Sequence, residues 1–530
     1  MSAAVSLCFT LSTCAVVPEP IETAEMAEVV DASLDRVTAN QEPVRHSIDV
    51  YEAMARALKY NLDQRVELMQ EAVKFDELRL ASYQGLPGLV AQSAYSARDN
   101  ILASSSQSIL TGRESLEPST STDRKMTVDD VTLSWNILDF GLSYVRARQA
   151  ADQVLVQHEA RRRALNRIVE DVRTAYWRAI ASERLISRLR DLEAKTRRAL
   201  ANSRDLANER LTSPVVALTY ERELLEIRRE AQRIEGDLRV ARSQLAALMN
   251  LPPEANFRLS GMPASVSTAH LRVEPRKLLR IALMNRPETR DVAYKIRINE
   301  KEIDAALLEL LPGLNPFAST NFDSNDFLVN NNWLGWGARA SWNLMKVFQF
   351  PAKRDLIEAQ GQALDVRTMA LTMAIMTQVH VSRVKFVHAQ RELQTSSQIR
   401  EVQRRLLANV RESTATDKTS EQTLIREHMN MIVSEVRYDL AFANLQNAYA
   451  NIFASLGLDA FPSVDIDSAK VDELAGALRK TWIGWGDLSI INSMDRITSE
   501  LIPETAATSV AVKSEAPNRG GSEVTASFSE

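Results

Sequence analysis

Glycine and proline are scarce in this 530-residue chain, 16 and 17 in all, and they cluster at a few points. Compact domains of roughly 100–200 residues are punctuated by turns throughout, so the scarcity argues against a string of globular units. Cysteine is nearly absent: Cys8 and Cys14 are the only two, both in the first apolar stretch, and disulfides have no part in the fold. No later window offers the ~20 uninterrupted apolar residues of a spanning helix, which leaves β-strands as the only route across a membrane. A basic field is missing too. Lys and Arg number 64 against 69 Asp and Glu, a net charge of −5 with both signs interspersed, which argues against nucleic acid as a partner. The local run Arg161-Arg162-Arg163, with Glu159 and Glu170 nearby, reads as a solvated helix face.

Catalytic signatures are absent as well. No nucleophile elbow, Walker loop, dinucleotide fingerprint or His-Glu-x-x-His helix occurs, so the chain reads as no enzyme, with no cofactor, catalytic residue or metal site. His380 and His388, two turns apart on one helix, read as packed or solvent-facing. Met369, Met373 and Met376 fall at i, i+4, i+7, and Met429 and Met431 lie near a later break. Thioethers favour Cu(I), but methionines also fill irregular gaps between packed helices, the reading preferred here.

What the chain has is a repeat. Gly85-Leu86-Pro87-Gly88-Leu89 returns as Leu310-Leu311-Pro312-Gly313-Leu314, and Leu133-Ser134-Trp135-Asn136-Ile137-Leu138 as Ala340-Ser341-Trp342-Asn343-Leu344-Met345. Each copy reads helix, Pro-Gly break, strand pair, very long helix: residues 47–260 form the first module and 261–460 the second. Strands are expected at about 89–98 and 129–140, then 315–325 and 333–344, where the period changes to alternation. The prolines are about 225 positions apart and the tryptophans Trp135 and Trp342 about 207. The difference falls between the strands, where loops tolerate insertion, so the first loop is the longer.

From Ser143 to Ser213 there is no Gly or Pro, and from Ala352 to Leu456 only Gly361. About 70 helical residues would make a rod of roughly 100 Å, a length that needs coiled-coil-like packing. Each rod is expected to fold back. Ser213-Pro214 breaks the first, because proline lacks the backbone donor and disfavours helix in the residue before it. The polar run from Glu412 to Thr419 breaks the second. Upstream, a helix opens at Ser47 and runs to about Ser82.

The ends read differently. Residues 1–14 resemble an export signal, and Leu11-Ser12-Thr13-Cys14 makes Cys14 a candidate for lipidation, with plain cleavage the alternative. Residues 15–46 read as an acidic linker, 461–495 as a segment packing with Pro252 to Leu271 around the middle of the rods, and 496–530 as a disordered tail.

Short alternating strands with aromatic rings near their ends suit a lipid-facing barrel; Trp135, Trp333, Trp336 and Trp342 are the candidate membrane-interface aromatics. Four strands cannot close a conducting barrel, so several chains must share one. The twin Leu-Pro-Gly-Leu breaks, the segment from Leu133 to Gly141, and Tyr176 in the following helix resemble the TolC-like outer-membrane efflux proteins over about Ser47 to Leu458. The resemblance implies a mainly α fold with a membrane β-barrel, a homotrimer with a helical tunnel across the periplasm of a Gram-negative bacterium, and a passive exit duct. It also implies a periplasmic adaptor and an inner-membrane transporter as partners. The aperture residues would be Thr212, Ser213, Pro214 and Val215 at one tip and Thr414, Thr416 and Asp417 at the other, with Ser213-Pro214 departing from the glycine usual in the family. Asp417, trimerised, would add a ring of carboxylates; otherwise it is a solvated turn residue. The alternatives are a type I protein secretion duct and, from another class, a coiled-coil scaffold of the periplasm.

Overall fold

The computed structural model describes residues 19–39, 41–115, 117–208, 213–260, 274–416, 420–459 and 465–484. Its two modules match element by element. The first contains α2 (Val50–Tyr60, 11 residues), α3 (Leu62–Tyr83, 22 residues), β1 (Gly88–Ala97), β2 (Lys125–Ser134), α4 (Ile137–Asn208, 72 residues) and α5 (Pro214–Leu248, 35 residues). The second contains α6 (Pro275–Asn285, 11 residues), α7 (Pro287–Leu308, 22 residues), β3 (Gly313–Asp323), β4 (Asn332–Ser341), α8 (Met345–Ala415, 71 residues) and α9 (Glu421–Ser455, 35 residues). Outside the repeat lie α1 (Thr23–Val37) and α10 (Val471–Gly484).

Several expected boundaries move. The helix expected from Ser47 to about Ser82 is two helices, α2 and α3, because Asn61 is extended at φ −62°, ψ 129° and its side-chain oxygen caps Asp63 N–H at 2.9 Å; an Asn cap makes a break without glycine or proline. Arg286 repeats that backbone at φ −66°, ψ 134° between α6 and α7. The strand expected over 129–140 occupies 125–134, and that over 333–344 ends at Ser341. Helix α8 starts at Met345 and carries Pro351 inside it, where the sequence suggested a start after the proline. The acidic linker holds a helix, α1, with no buried residue. Arg161 and Arg162 are not solvated: they pair with Glu71 at 3.3 Å and bidentately with Asp459 at 2.9–3.1 Å.

The long helices pack as hairpins, α4 with α5 and α8 with α9, and α4 against α9 joins the two modules. The core sits where α2, α4, α6, α8, α9 and α10 converge. Its aromatic chain includes Tyr176, Trp177 and Phe442, with successive ring centroids 5.2 Å apart. The Tyr176 hydroxyl lies 3.1 Å from the Ile48 carbonyl and 3.0 Å from that of Ser260, tying α4 to the Ile48–Leu259 bridge. Arg173, buried, stacks 4.0 Å over Trp482 of α10, and loss of water around it pulls its guanidinium down to about 10. A second cluster, Leu185, Leu189 and Leu192 against Leu224, Ile234 and Ile432, fills the rods further along.

Candidate functional site

At each helix–strand corner the same two side chains do the same work. The Trp135 indole donates to the Gly85 carbonyl at 3.1 Å and the Trp342 indole to the Leu310 carbonyl at 2.9 Å, each three residues before the strand's opening glycine. The next residue is an asparagine whose side chain holds the start of the long helix: Asn136 Oδ1 accepts from Leu138 N–H at 3.1 Å, and Asn343 Oδ1, one residue before the N-cap Leu344, from Met345 N–H at 3.2 Å. Trp-Asn therefore ends the strand and starts the helix, which is why the alternation stops short of the expected ends.

The four strands form one antiparallel sheet in the order β1-β2-β3-β4. Because β2 pairs with β3, Leu133 opposite Ala318 and Val131 opposite Thr320, the modules join through their strands. Register sorts the side chains onto two faces. One is mostly apolar, with Leu89, Ala91, Leu133, Val131, Leu314, Ala318, Trp336, Leu334, Ala338 and Ala340, and also carries Thr127 and Asp129, which accepts from the Ser93 hydroxyl; the other is mostly polar, with Gln92, Thr132, Asp130, Asn315, Ser319, Asn321, Arg339 and Ser341 beside Val90, Val128 and Phe317. The apolar rows from Leu314 to Thr320 span about 20 Å at ~3.3 Å per residue. Trp336 sits among them, 86 % exposed, whereas Trp333 shares the polar face with Asn321 and Asp130. On that face a Cβ at Gly337 would lie 3.0 Å from the Phe317 ring and one at Gly335 2.9 Å from Ser319 Oγ: glycine leaves room for the neighbours' side chains. The outer edges of β1 and β4 are unpaired within this sheet.

Beyond the strands the first loop is the longer, as expected. It folds on itself through the Ser104–Ser119 and Gln107–Glu114 bridges. Asn325, buried in the second loop, joins the two, donating to the Ser121 carbonyl at 3.0 Å and accepting from Asp123 N–H at 3.2 Å.

At the far end, Ser213 is the N-cap of α5, Pro214 its first residue, and Val215 is 73 % exposed. Thr414 bonds back to the Val410 carbonyl at 2.8 Å, and Thr416 closes α8. Thr212, Asp417 and Cys14 lie outside the described residues. Met369, Met373, Met376, His380 and His388 are exposed on α8 and Met429 and Met431 are buried; among the described residues no cluster of metal-ligating side chains occurs.

The sequence reading missed an ionic seam between α4 and α9. Arg184 pairs with Asp439 at 3.2 Å, and Arg188 pairs with Glu435. Asp439 is fully buried and neither carboxylate oxygen has a hydrogen-bond partner. Desolvation pushes its carboxyl up to about 6, Glu435 adding to the rise and Arg184 opposing it. The signal was present as an i, i+4 pair of arginines on one helix and an i, i+4 pair of acids on another.

The chain is thus a sheet with one mostly apolar face and two open edges, joined to two rods of ~100 Å that each fold back through a second helix of ~50 Å. In solved structures the chain matches the outer-membrane channel OprN at TM-score 0.60 and 13% identity, over 80% of this chain and 95% of that one. It matches the channel CusC at 0.59 and 15%, over 79% and 96%, and the Campylobacter jejuni outer membrane channel CmeC at 0.59 and 12%, over 86% and 96%. The likeness is one of fold. No protein-family model and no curated protein matches the sequence.

Proposed function

We propose that three copies of this chain close a twelve-stranded barrel in the outer membrane of a Gram-negative bacterium and continue it as a helical tunnel in the periplasm. In that reading the protein is a passive, non-enzymatic duct that receives substrate from a periplasmic adaptor and an inner-membrane transporter at the Ser213–Val215 and Thr414–Thr416 tips. Efflux is the activity it fits. The apolar face turns to lipid and the polar face lines the lumen, since open strand edges are not tolerated in hydrocarbon.

The observation that carries this reading is a mismatch between the repeats. Helix α7 packs between α4 and α8. Its residues Asp291 and Ala305 are buried and Tyr294 and Ile298 half-buried, yet the equivalent residues of α3, Val66, Leu80, Met69 and Val73, are 53–64 % exposed. Helix α8 shows the complementary gap: Gln149 and Glu159 of α4 are buried, while their equivalents Leu356 and Val366 are 58 % and 60 % exposed. One chain thus presents half of the module interface at each side, and a neighbouring copy supplies the missing half. Lengthwise apolar stripes of this kind on a free chain mark an interface.

The test is fractionation followed by bilayer recording. The expected result is recovery in outer-membrane fractions and ohmic conductance of the purified protein in planar bilayers. A protein recovered only in the soluble periplasm, with no conductance, contradicts the proposal.

A further inference from the structure

Helix α1 is amphipathic, and its apolar side is uncovered. Met26, Val30, Leu34 and Val37 fall at i, i+4, i+8 and i+11, one stripe of a helix, and each is 41–66 % exposed. Glu28, Asp31 and Asp35 lie on the opposite side, and no residue of the helix is buried. Its C-terminal end is nonetheless fixed. Asn250 Nδ2 donates to the Val37 carbonyl at 2.6 Å and Gln41 Nε2 to the Asn250 carbonyl at 2.5 Å, which ties α1 to the turn that follows α5.

Helix α8 presents a second uncovered stripe. Between Val366 and Val381 its only ionisable side chains are Arg367 and His380, and Met369, Met373 and Met376 are 42–64 % exposed. One module earlier the equivalent residues of α4 are Arg162, Asn166 and Val169. There Val169 is buried, and Arg162 and Asn166 are held by the turn that follows α9, whose Asp459 carboxylate accepts from both at 2.9–3.3 Å. The two turns correspond. Gly457, φ +70°, and Asn250, φ 58°, are their left-handed residues, so Pro252 stands where Asp459 does. Repeated between copies, the contact of Asp459 with α4 becomes a contact of the Asn250–Pro252 turn with Met369 and Met373 of the next copy, and that turn carries α1 with it.

We infer, on the shared assembly proposed above, that α1 docks on the neighbouring copy, its stripe of Met26, Val30, Leu34 and Val37 against Met369, Met373 and Met376 of that copy's α8. Two lengthwise apolar stripes are then removed from water together. Methionine suits the receiving side, since its unbranched thioether fills an irregular gap against a helix crossing at any angle. The charges agree: the α8 run holds no acid, so the four acids of α1 meet no like charge there and keep to the water side.

The test is peroxide footprinting of the intact protein in detergent, with sulfoxide at each methionine read by mass, on the parent and on Val30→Asp combined with Leu34→Asp. Because α1 buries nothing within its own chain, that variant leaves the chain's fold in place, and slow oxidation of the core residue Met54 verifies it. The expected result is slow oxidation of Met369, Met373 and Met376 in the parent and oxidation at least fivefold faster in the variant. A disulfide between Val37→Cys and Met373→Cys, with Cys8 and Cys14 replaced by serine, should join copies into covalent multimers. A second cysteine pair across the strands, Ser93→Cys with Ala340→Cys, reports separately on the shared barrel. Methionines oxidised at equal rates in parent and variant, or a Val37–Met373 product confined to the monomer mass, while the strand pair still joins copies, overturn the docking of α1 and leave the assembly standing. Failure of both pairs to join copies overturns the assembly, and the docking with it.

Discussion

Gly457 stands where a side chain has no room: its φ is +70° and the Arg286 backbone lies within 2.7 Å of any Cβ. Gly457→Ala should therefore cost both left-handed strain and a clash, at least ~2 kcal/mol by denaturant unfolding; a cost under ~0.5 kcal/mol would show that the corner is looser than described. Asp439 gives a pH-dependent counterpart. Its carboxyl is held up to about 6 in the fold against an ordinary 3.8, so the neutral form is the favoured one. The stabilisation it contributes is complete below the ordinary value and lost as pH rises through about 6. Asp439→Asn should be near neutral at pH 4 and stabilise on the order of 1–3 kcal/mol at pH 7, with the exposed Arg184 released to water. A Tm difference between variant and parent that stays flat from pH 4 to 7 would remove this assignment.

At the scale of elements, the corner pairs Trp135–Asn136 and Trp342–Asn343 make a matched prediction. Trp135→Phe and Trp342→Phe each lose one hydrogen bond, about 1 kcal/mol, and amide exchange should quicken at residues 85–88 in the first variant and 310–313 in the second. Equal protection in parent and variant would mean that the indole bonds are incidental. These corners also mark what the sequence made legible. The Leu-Pro-Gly breaks and the Trp-Asn words announced a duplicated corner, because proline and glycine act locally and the same local need was met twice. The rods were legible from the missing helix breakers. The division of α2 from α3 was not, since an Asn cap leaves no trace in a helical pattern; in the second module the same turn at Arg286 is marked by Pro287, which holds the residue before it extended. Helix α1 was hidden because its acidic residues read as a linker; its apolar positions Met26, Val29, Leu34 and Val37 remain exposed. Trp333 looked like its fellow tryptophans, and only strand register assigns it to the polar face. The seam of Arg184 and Arg188 with Asp439 and Glu435 depends on two distant helices meeting, which periodicity along either one does not reveal.

At the scale of the whole molecule, the internal repeat specifies how copies would meet. Within the chain β2 pairs with β3, Ser134 opposite Phe317 and Leu133 opposite Ala318. Shifted by one module, β4 would pair with β1 of the next copy, Ser341 opposite Gln92 and Ala340 opposite Ser93, keeping apolar residues on one face. The same shift sets Leu356 of α8 beside Val73 of the neighbour's α3, as Gln149 lies beside Ile298 within the chain, where Gln149 Nε2 donates to the Ile298 carbonyl at 3.1 Å. Leu356→Asp should therefore leave the free chain's fold intact and shift the purified protein toward monomer in light scattering; an unchanged oligomer would place the interface elsewhere. The most direct test of the shared barrel is a disulfide between Ser93→Cys and Ala340→Cys, in a background with Cys8 and Cys14 replaced by serine, oxidised in membranes and resolved on a denaturing gel. A covalent species at three times the chain's mass, absent from either single variant, is the predicted result; a product confined to the monomer mass would contradict a barrel closed by three copies.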